Sequence, residues 1–257
     1  MENIILNKDY VLNITENNDY IISGVGNLVI NVNSNVECKI LIKNLSSNIV
    51  INLDKYSNLD LVSINYEEYS GSIVANVCEE ALINYKFASL TNTKDNLVVN
   101  LNGYKAKCNV EYLTINKESN SKFNQLINHL EKETESKVYN IGVVFDNASI
   151  NFDTVGVIEK GNSKSICKQL SRGIIIGDNS TITSQPILKI DEYDVSANHG
   201  AAIGRMSDDE LFYLMSRGLT KEASYKLILS GLVNPFIKSI WNEEESISFK
   251  NKVDELI

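Results

Sequence analysis

Groups able to do chemistry are scarce in this chain of 257 residues. It has 2 histidines, His129 and His199, and 4 cysteines, Cys38, Cys78, Cys108 and Cys167. The cysteines are scattered, with no C-x-x-C pair and no zinc-type spacing. Isolated cysteines of this kind are expected to be reduced and to pack as small hydrophobes. No G-x-S-x-G elbow, no Walker loop and no G-x-G-x-x-G before a helix occurs; GIIIG and GVGNLV lack the spacing. The chain is therefore expected to bind no nucleotide by those routes. Hydrolysis by paired carboxylates needs a fixed separation in space. Asp146, Asp153, Asp191 and Asp194 read instead as turn residues. His199 is left as the strongest single candidate. In DVSANHGAAIG the positions Val195, Ala197, His199, Ala201 and Ile203 alternate, so an extended segment puts them on one face. An imidazole in such company is either a satisfied core residue or a metal ligand.

The elements that must position His199 are short and monotonous. From residue 28 the runs are LVINV (28–32), CKILI (38–42), IVINL (49–53), LDLVSI (59–64), SIVANV (72–77), ALINYKF (81–87), LVVNL (97–101) and CNVEYLTI (108–115). FNQLINHL, SKVYNIGVVF and ASINFDTVGVI continue them. Strands about ten residues apart, parted by Asn, Ser, Gly, Asp and Lys, indicate all-β architecture. Sandwich, barrel and solenoid all fit. Few Asn-Gly hairpin signals, Asn102-Gly103 being the main one, and the persistence of the pattern favour a solenoid, although no crisp repeat stands out. The Asn-rich turns suit left-handed corners and side-chain ladders, or reflect codon bias alone.

Near residue 205 helical periodicity takes over. Residues 1–204 read as the β core, with 1–19 as an N-terminal arm or short strand, and 205–257 as a helical subdomain. Ser207 and Glu210 make a capping box, followed by the apolar stripe Leu211, Phe212, Leu214 and Met215. Gly218 suits the left-handed position after a helix. Thr220 is expected to cap a second helix, Lys221 to Ser230, stopped by Gly231. Asn234-Pro235 is expected to open a third. By itself this subdomain reads as a cap on the open end of a solenoid. The net charge of −9 disfavours nucleic acid and anionic membrane as partners. No run nears the roughly 18 apolar residues of a membrane span, and the N-terminus lacks a signal-peptide pattern, so a cytoplasmic protein is expected.

HGAAIG (199–204), DDELFYLMSRGLTKEAS (208–224) and NPF (234–236) together resemble the C-terminal core signature of the SufB/SufD family, scaffold proteins of the SUF iron–sulfur cluster assembly system. The likeness is strongest over 194–236. It continues more weakly back to His129 through SKSICKQLSRGIIIGDNSTITSQPILKI. It implies a right-handed parallel β-helix core with a small helical C-terminal subdomain, and a scaffold with no turnover of its own. It implies pairing with itself or with a SufB/SufD paralogue, and docking of a SufC-like ABC ATPase on the C-terminal helices. Leu211, Phe212, Tyr213, Arg217 and Gly218 are the contacts expected there. A transient iron–sulfur cluster is expected between two subunits, with His199 as a ligand and Cys167 as a further metal-binding candidate. His129 resembles a second family histidine and is read as structural.

The chain departs from the family pattern in several places. Asn198 and Gly200 stand beside the histidine where SufB-type proteins have acidic residues. Ser171 replaces a SufB-type cysteine, and Ala197 a SufD-type one. A shorter N-terminal region than is typical of the family is expected. Cys167 lies four residues before Ser171 with matching strand parity. Iron–sulfur clusters prefer thiolates, so a second subunit is expected to complete the ligand set, or else the chain is mainly structural. The rival reading is a β-solenoid carbohydrate-binding or polysaccharide-lyase-like module. That would need an exposed groove with carboxylates or aromatics, which the 12 tyrosines could supply.

Overall fold

The computed structural model describes residues 1–257. The first rungs are built from β1 (Glu2–Leu6), β2 (Tyr10–Ile14), β3 (Asp19–Gly24), β4 (Leu28–Val32), β5 (Glu37–Lys43) and β6 (Asn48–Leu53). Then come β7 (Asn58–Asn65), β8 (Tyr69–Val77), β9 (Leu82–Ser89), β10 (Thr93–Leu101), β11 (Lys107–Lys117) and β12 (Asn120–His129). The last strands are β13 (Glu135–Phe145), β14 (Ser149–Ile158), β15 (Ile166–Ile175), β16 (Thr181–Ile190) and β17 (Ser196–Arg205). Three helices follow, α1 (Asp208–Ser216), α2 (Lys221–Lys238) and α3 (Glu243–Leu256). Odd strands form one 9-stranded sheet and even strands one 8-stranded sheet, each in sequence order. Every pairing is parallel. The chain is thus a flattened β-solenoid whose rungs each give one strand to either sheet. Residues 1–19, expected as an arm or short strand, hold β1 and β2, which form the first rung and bury Leu6, Leu12 and Ile14.

No crisp repeat was legible because the rung length keeps changing. An outward Asn ladder records it: Asn31 to Asn13 spans 18 residues, Asn52 to Asn31 spans 21, Asn76 to Asn52 spans 24 and Asn128 to Asn100 spans 28. Each bond runs from one amide Nδ2–H to the carbonyl oxygen a rung below, at 2.8–3.0 Å. What does recur is backbone geometry. The turns from even to odd strands hold Asn35, Tyr56, Glu80, Lys105, Glu133 and Lys164 at positive φ. The N–H of each donates to a carbonyl in the corresponding turn of the next rung. Side-chain identity at these corners is free, so the repeat is invisible in the residues.

As the rungs widen, the interior is filled differently. Ile, Leu and Val suffice at first. Tyr69, Tyr85, Phe87, Tyr112, Phe123 and Phe152 then pack ring against ring, with centroids 4.9–6.4 Å apart. Towards the last rungs the filling turns polar.

The helices do not plug the end of the stack. They lie along its flank, on the outer face of the 9-stranded sheet. There Val62, Ile64, Leu113, Ile115, Ile141 and Val143 form one apolar cluster with Leu229, Val233, Phe236, Ile237, Phe249 and Val253. In their C-terminal halves these strands turn apolar residues outward while Ser63, Asn65, Thr114 and Asn116 take the inward positions, and that outward face needs covering more than the end does. The demand also overrides the expected helix break. α2 runs from Lys221 to Lys238 with Gly231 and Pro235 inside it. Leu229, Leu232, Val233, Phe236 and Ile237 are all buried, and that burial outweighs the roughly 3 kcal/mol a helical proline costs. The third helix begins instead at Asn242, whose side chain accepts from the Glu245 N–H.

Candidate functional site: the open end of the solenoid

β17 is the terminal strand of its sheet, pairing only with β15. Across the interior, β16 likewise ends its own sheet. In register His199 lies on Gln169, Ala197 on Cys167 and Ala201 on Ser171. Cys167, Gln169 and Ser171 are all buried, so His199 has inward parity. It is nevertheless exposed, because no further rung covers it. The sequence expectation that Ala197, His199, Ala201 and Ile203 share a face agrees with this register. From Ser196 to Gly204 β17 holds neither proline nor a fixed charge, the usual blocks to pairing at an edge. β16, by contrast, carries Pro186 and Lys189.

Cys167 is fully buried one rung beneath Ala197. Burial raises its thiol pKa, opposed by a hydrogen bond with Ser136. It is a protonated core group within a single chain. Cys38 and Cys108 are buried too, and burial pushes Cys38 up to about 12. His129 is buried, its Nδ1 2.7 Å from Thr134 Oγ1 and its Nε2 2.8 Å from Ser136 Oγ. Burial lowers it to about 4, so it is neutral at pH 7. No group of three or more His, Cys, Asp or Glu side chains gathers at metal-binding range. One chain therefore offers a single exposed imidazole, and any cluster ligand set has to be shared.

The sequence reading missed the polar lining that leads to this end. Gln125 Nε2 donates to Asn140 Oδ1 at 2.9 Å, and Thr154 Oγ1 to Gln125 Oε1 at 2.6 Å. Asn140 Nδ2 donates to Ser171 Oγ at 3.5 Å, and Ser184 Oγ to Ser171 Oγ at 2.8 Å. Each residue is ordinary in the sequence. Only the register gathers them.

The helical candidates divide. Leu211 is buried and anchors α1. Phe212 and Tyr213 are 75% and 57% exposed, with Leu227 of α2 at 53%. Between the two helices lies a shallow cleft of about 440 Å³, lined by Tyr213, Leu214, Leu227 and Ile228 together with Asp209 and Glu210. Arg217 lies over the Tyr213 ring at 5.3 Å, and Gly218 takes φ +93° at the end of α1. No helix is long and apolar enough to cross a membrane.

The chain has sequence relatives among known proteins. The chain is 37% identical over 123 residues to the iron–sulfur cluster assembly protein SufD of Bacillus subtilis, covering 48% of this chain and 28% of that protein. It is 35% identical over 99 residues to a SufBD family protein of Pyrococcus horikoshii, covering 36% and 22%. With the chloroplastic protein ABCI7 of Arabidopsis thaliana it shares 32% over 89 residues, covering 35% and 19%. The aligned part is thus less than a third of each relative's length. Residues 17–232 match the family described as SUF system FeS cluster assembly, SufBD core domain, and the chain belongs to that family.

Proposed function

We propose that this chain is a cytoplasmic scaffold subunit for iron–sulfur cluster assembly that works as one half of a pair. Family membership supports the role in cluster assembly. The observation that carries the finer reading is His199, exposed on an edge strand with no proline or charge from Ser196 to Gly204. A second copy, or a SufB/SufD paralogue, adds its own terminal strand to β17. His199 then gives one imidazole to iron or to a nascent cluster held between the two subunits. The cluster is cargo, and thiolates from the second subunit complete its coordination. Phe212, Tyr213 and Leu227 offer an apolar surface to an ABC-type ATPase, whose movement reshapes the paired ends. The chain itself carries out no turnover.

Anaerobic reconstitution with iron and sulfide, alone and with candidate partners, tests the reading. The expected result is a paired species with sulfide-to-iron charge-transfer absorption that His199→Ala abolishes while pairing survives. Absorption unchanged in His199→Ala, or no association with a SufC-like ATPase under reducing conditions, overturns it.

A further inference from the structure

A groove of about 820 Å³ crosses the outer face of the 9-stranded sheet, on the side left bare by the helices. It runs over six strands, β7 to β17, a path of about 24 Å at ~4.8 Å per strand step. Its wall is the connection between α2 and α3. That connection is pinned by Lys86 Nζ donating to the Ser239 carbonyl at 3.3 Å. The floor is two register rows, one passing from Asp60 through Asn84 and Asn109 to Lys137 and Lys168. The other passes from Lys86 through Glu111 and Tyr139 to Leu170.

Several groups here lack partners within the chain. The Trp241 indole N–H is buried with no acceptor. Leu170, on β15 towards one end of the path, is 49% exposed. Lys168 takes part in none of the six ion pairs, and Lys137 meets only Glu135 at 2.7 Å. Burial raises Glu111 above the ordinary carboxylate range, opposed by Lys86. Three lysines on one floor are notable in a chain whose net charge is −9. The groove is too long and open for a compact ligand. At ~3.3–3.6 Å per residue, seven or so extended residues would span it.

We infer that this groove receives an extended acidic segment of a partner protein. The segment's carboxylates meet Lys137 and Lys168, and an apolar side chain covers Leu170 and Tyr139. Charge complementarity selects a peptide over nucleic acid: Lys137 and Lys168 stand on β13 and β15 while Asp60 and Glu111 stand on β7 and β11, so carboxylates confined to one end match the floor and a continuous phosphate chain does not. The inference stands on the groove alone and does not depend on cluster binding.

Trp241 is the only tryptophan of the chain, so its emission reports occupancy directly. The full chain is titrated with an eight-residue peptide of Asp, Glu, Gly and Leu, and with its Lys-for-acid counterpart. The expected result is a saturable emission change with the acidic peptide alone, weakened at least tenfold by Lys137→Glu with Lys168→Glu. Leu170→Ser, at an exposed position that leaves folding intact, is expected to weaken it several-fold and gives a second reading. No saturable change, equal response to the basic peptide, or affinity unaltered by both variants overturns the proposal. So does displacement of the peptide by a single-stranded oligonucleotide or by succinate at comparable concentration.

Discussion

Two buried titrating residues pull the stability of this solenoid in opposite directions as pH changes. Asp95 is 1% exposed, and its carboxylate accepts from Tyr112 Oη at 2.6 Å and Tyr69 Oη at 3.1 Å. Burial outweighs those bonds and raises it to about 6. Its stabilising contribution is therefore complete below about pH 3.8 and is lost as pH rises through 6. His129, lowered to about 4, behaves oppositely: its contribution is complete above about pH 6.5 and is lost as pH falls through 4. In the wild type the two slopes partly cancel. Asp95→Asn should raise unfolding free energy at pH 7 by up to roughly 3 kcal/mol, and should steepen the loss between pH 6.5 and 4. Adding His129→Asn to that variant should flatten the same window. Urea melts across pH check both, and a flat Asp95→Asn profile would count against the His129 assignment. The face that His199 shares was readable from alternation alone. Its exposure was not, because nothing in HGAAIG tells whether another rung follows.

At the level of elements, the corners and the helical flank make separate demands. Lys105 holds φ 59° in a corner that hydrogen-bonds to the carbonyl of Lys132. Lys105→Gly should stabilise by about 0.5–1 kcal/mol, and Lys105→Val should destabilise by about 1 kcal/mol or more, read as shifts in the urea midpoint. The flank is clamped by Glu245, buried, ion-paired with Lys43 and accepting from Tyr66 Oη at 2.6 Å. Glu245→Ala should cost about 2 kcal/mol of helix docking. Amide exchange and proteolysis should then open residues 243–256 before the strands lose protection. Equal loosening everywhere would refute the clamp. The strands were legible because each is a short β-branched run with polar turns, and β4 has the bounds of its LVINV segment. The continuation of α2 through Gly231 and Pro235 was not legible. Local signals favour a break there, and the sheet face that rewards continuity comes from strands far away in the chain, β7, β11 and β13 among them. The same distance explains why the helices were read as an end cap: their partner face is assembled only by folding.

For the whole molecule, two uncovered ends should govern how the stack opens. Inward positions of β16 such as Ser184, Pro186 and Leu188 are only half-buried, whereas those of the middle strands are closed off. Exchange should be fastest at β16 and β17 and slowest between β7 and β13, and a paired subunit should protect β17 most. Uniform protection along the chain would contradict an open terminus. The solenoid class could be read from the sequence, but which face the helices cover and where the groove runs had to wait for the register. The steady lengthening of the rungs has a further consequence. A uniform solenoid can gain or lose a coil by recombination and still close its seams, since any coil fits on any other. Here most coils differ in length from the next, the two of 24 residues that end at Asn76 and Asn100 excepted. Excising the segment from β9 through β10 would remove Asn100 from the amide column and Tyr85 and Phe87 from the ring stack. This tapering makes the stack behave like nested cups in a fixed order, and its family should vary in its loops and flanking regions far more readily than in its number of coils.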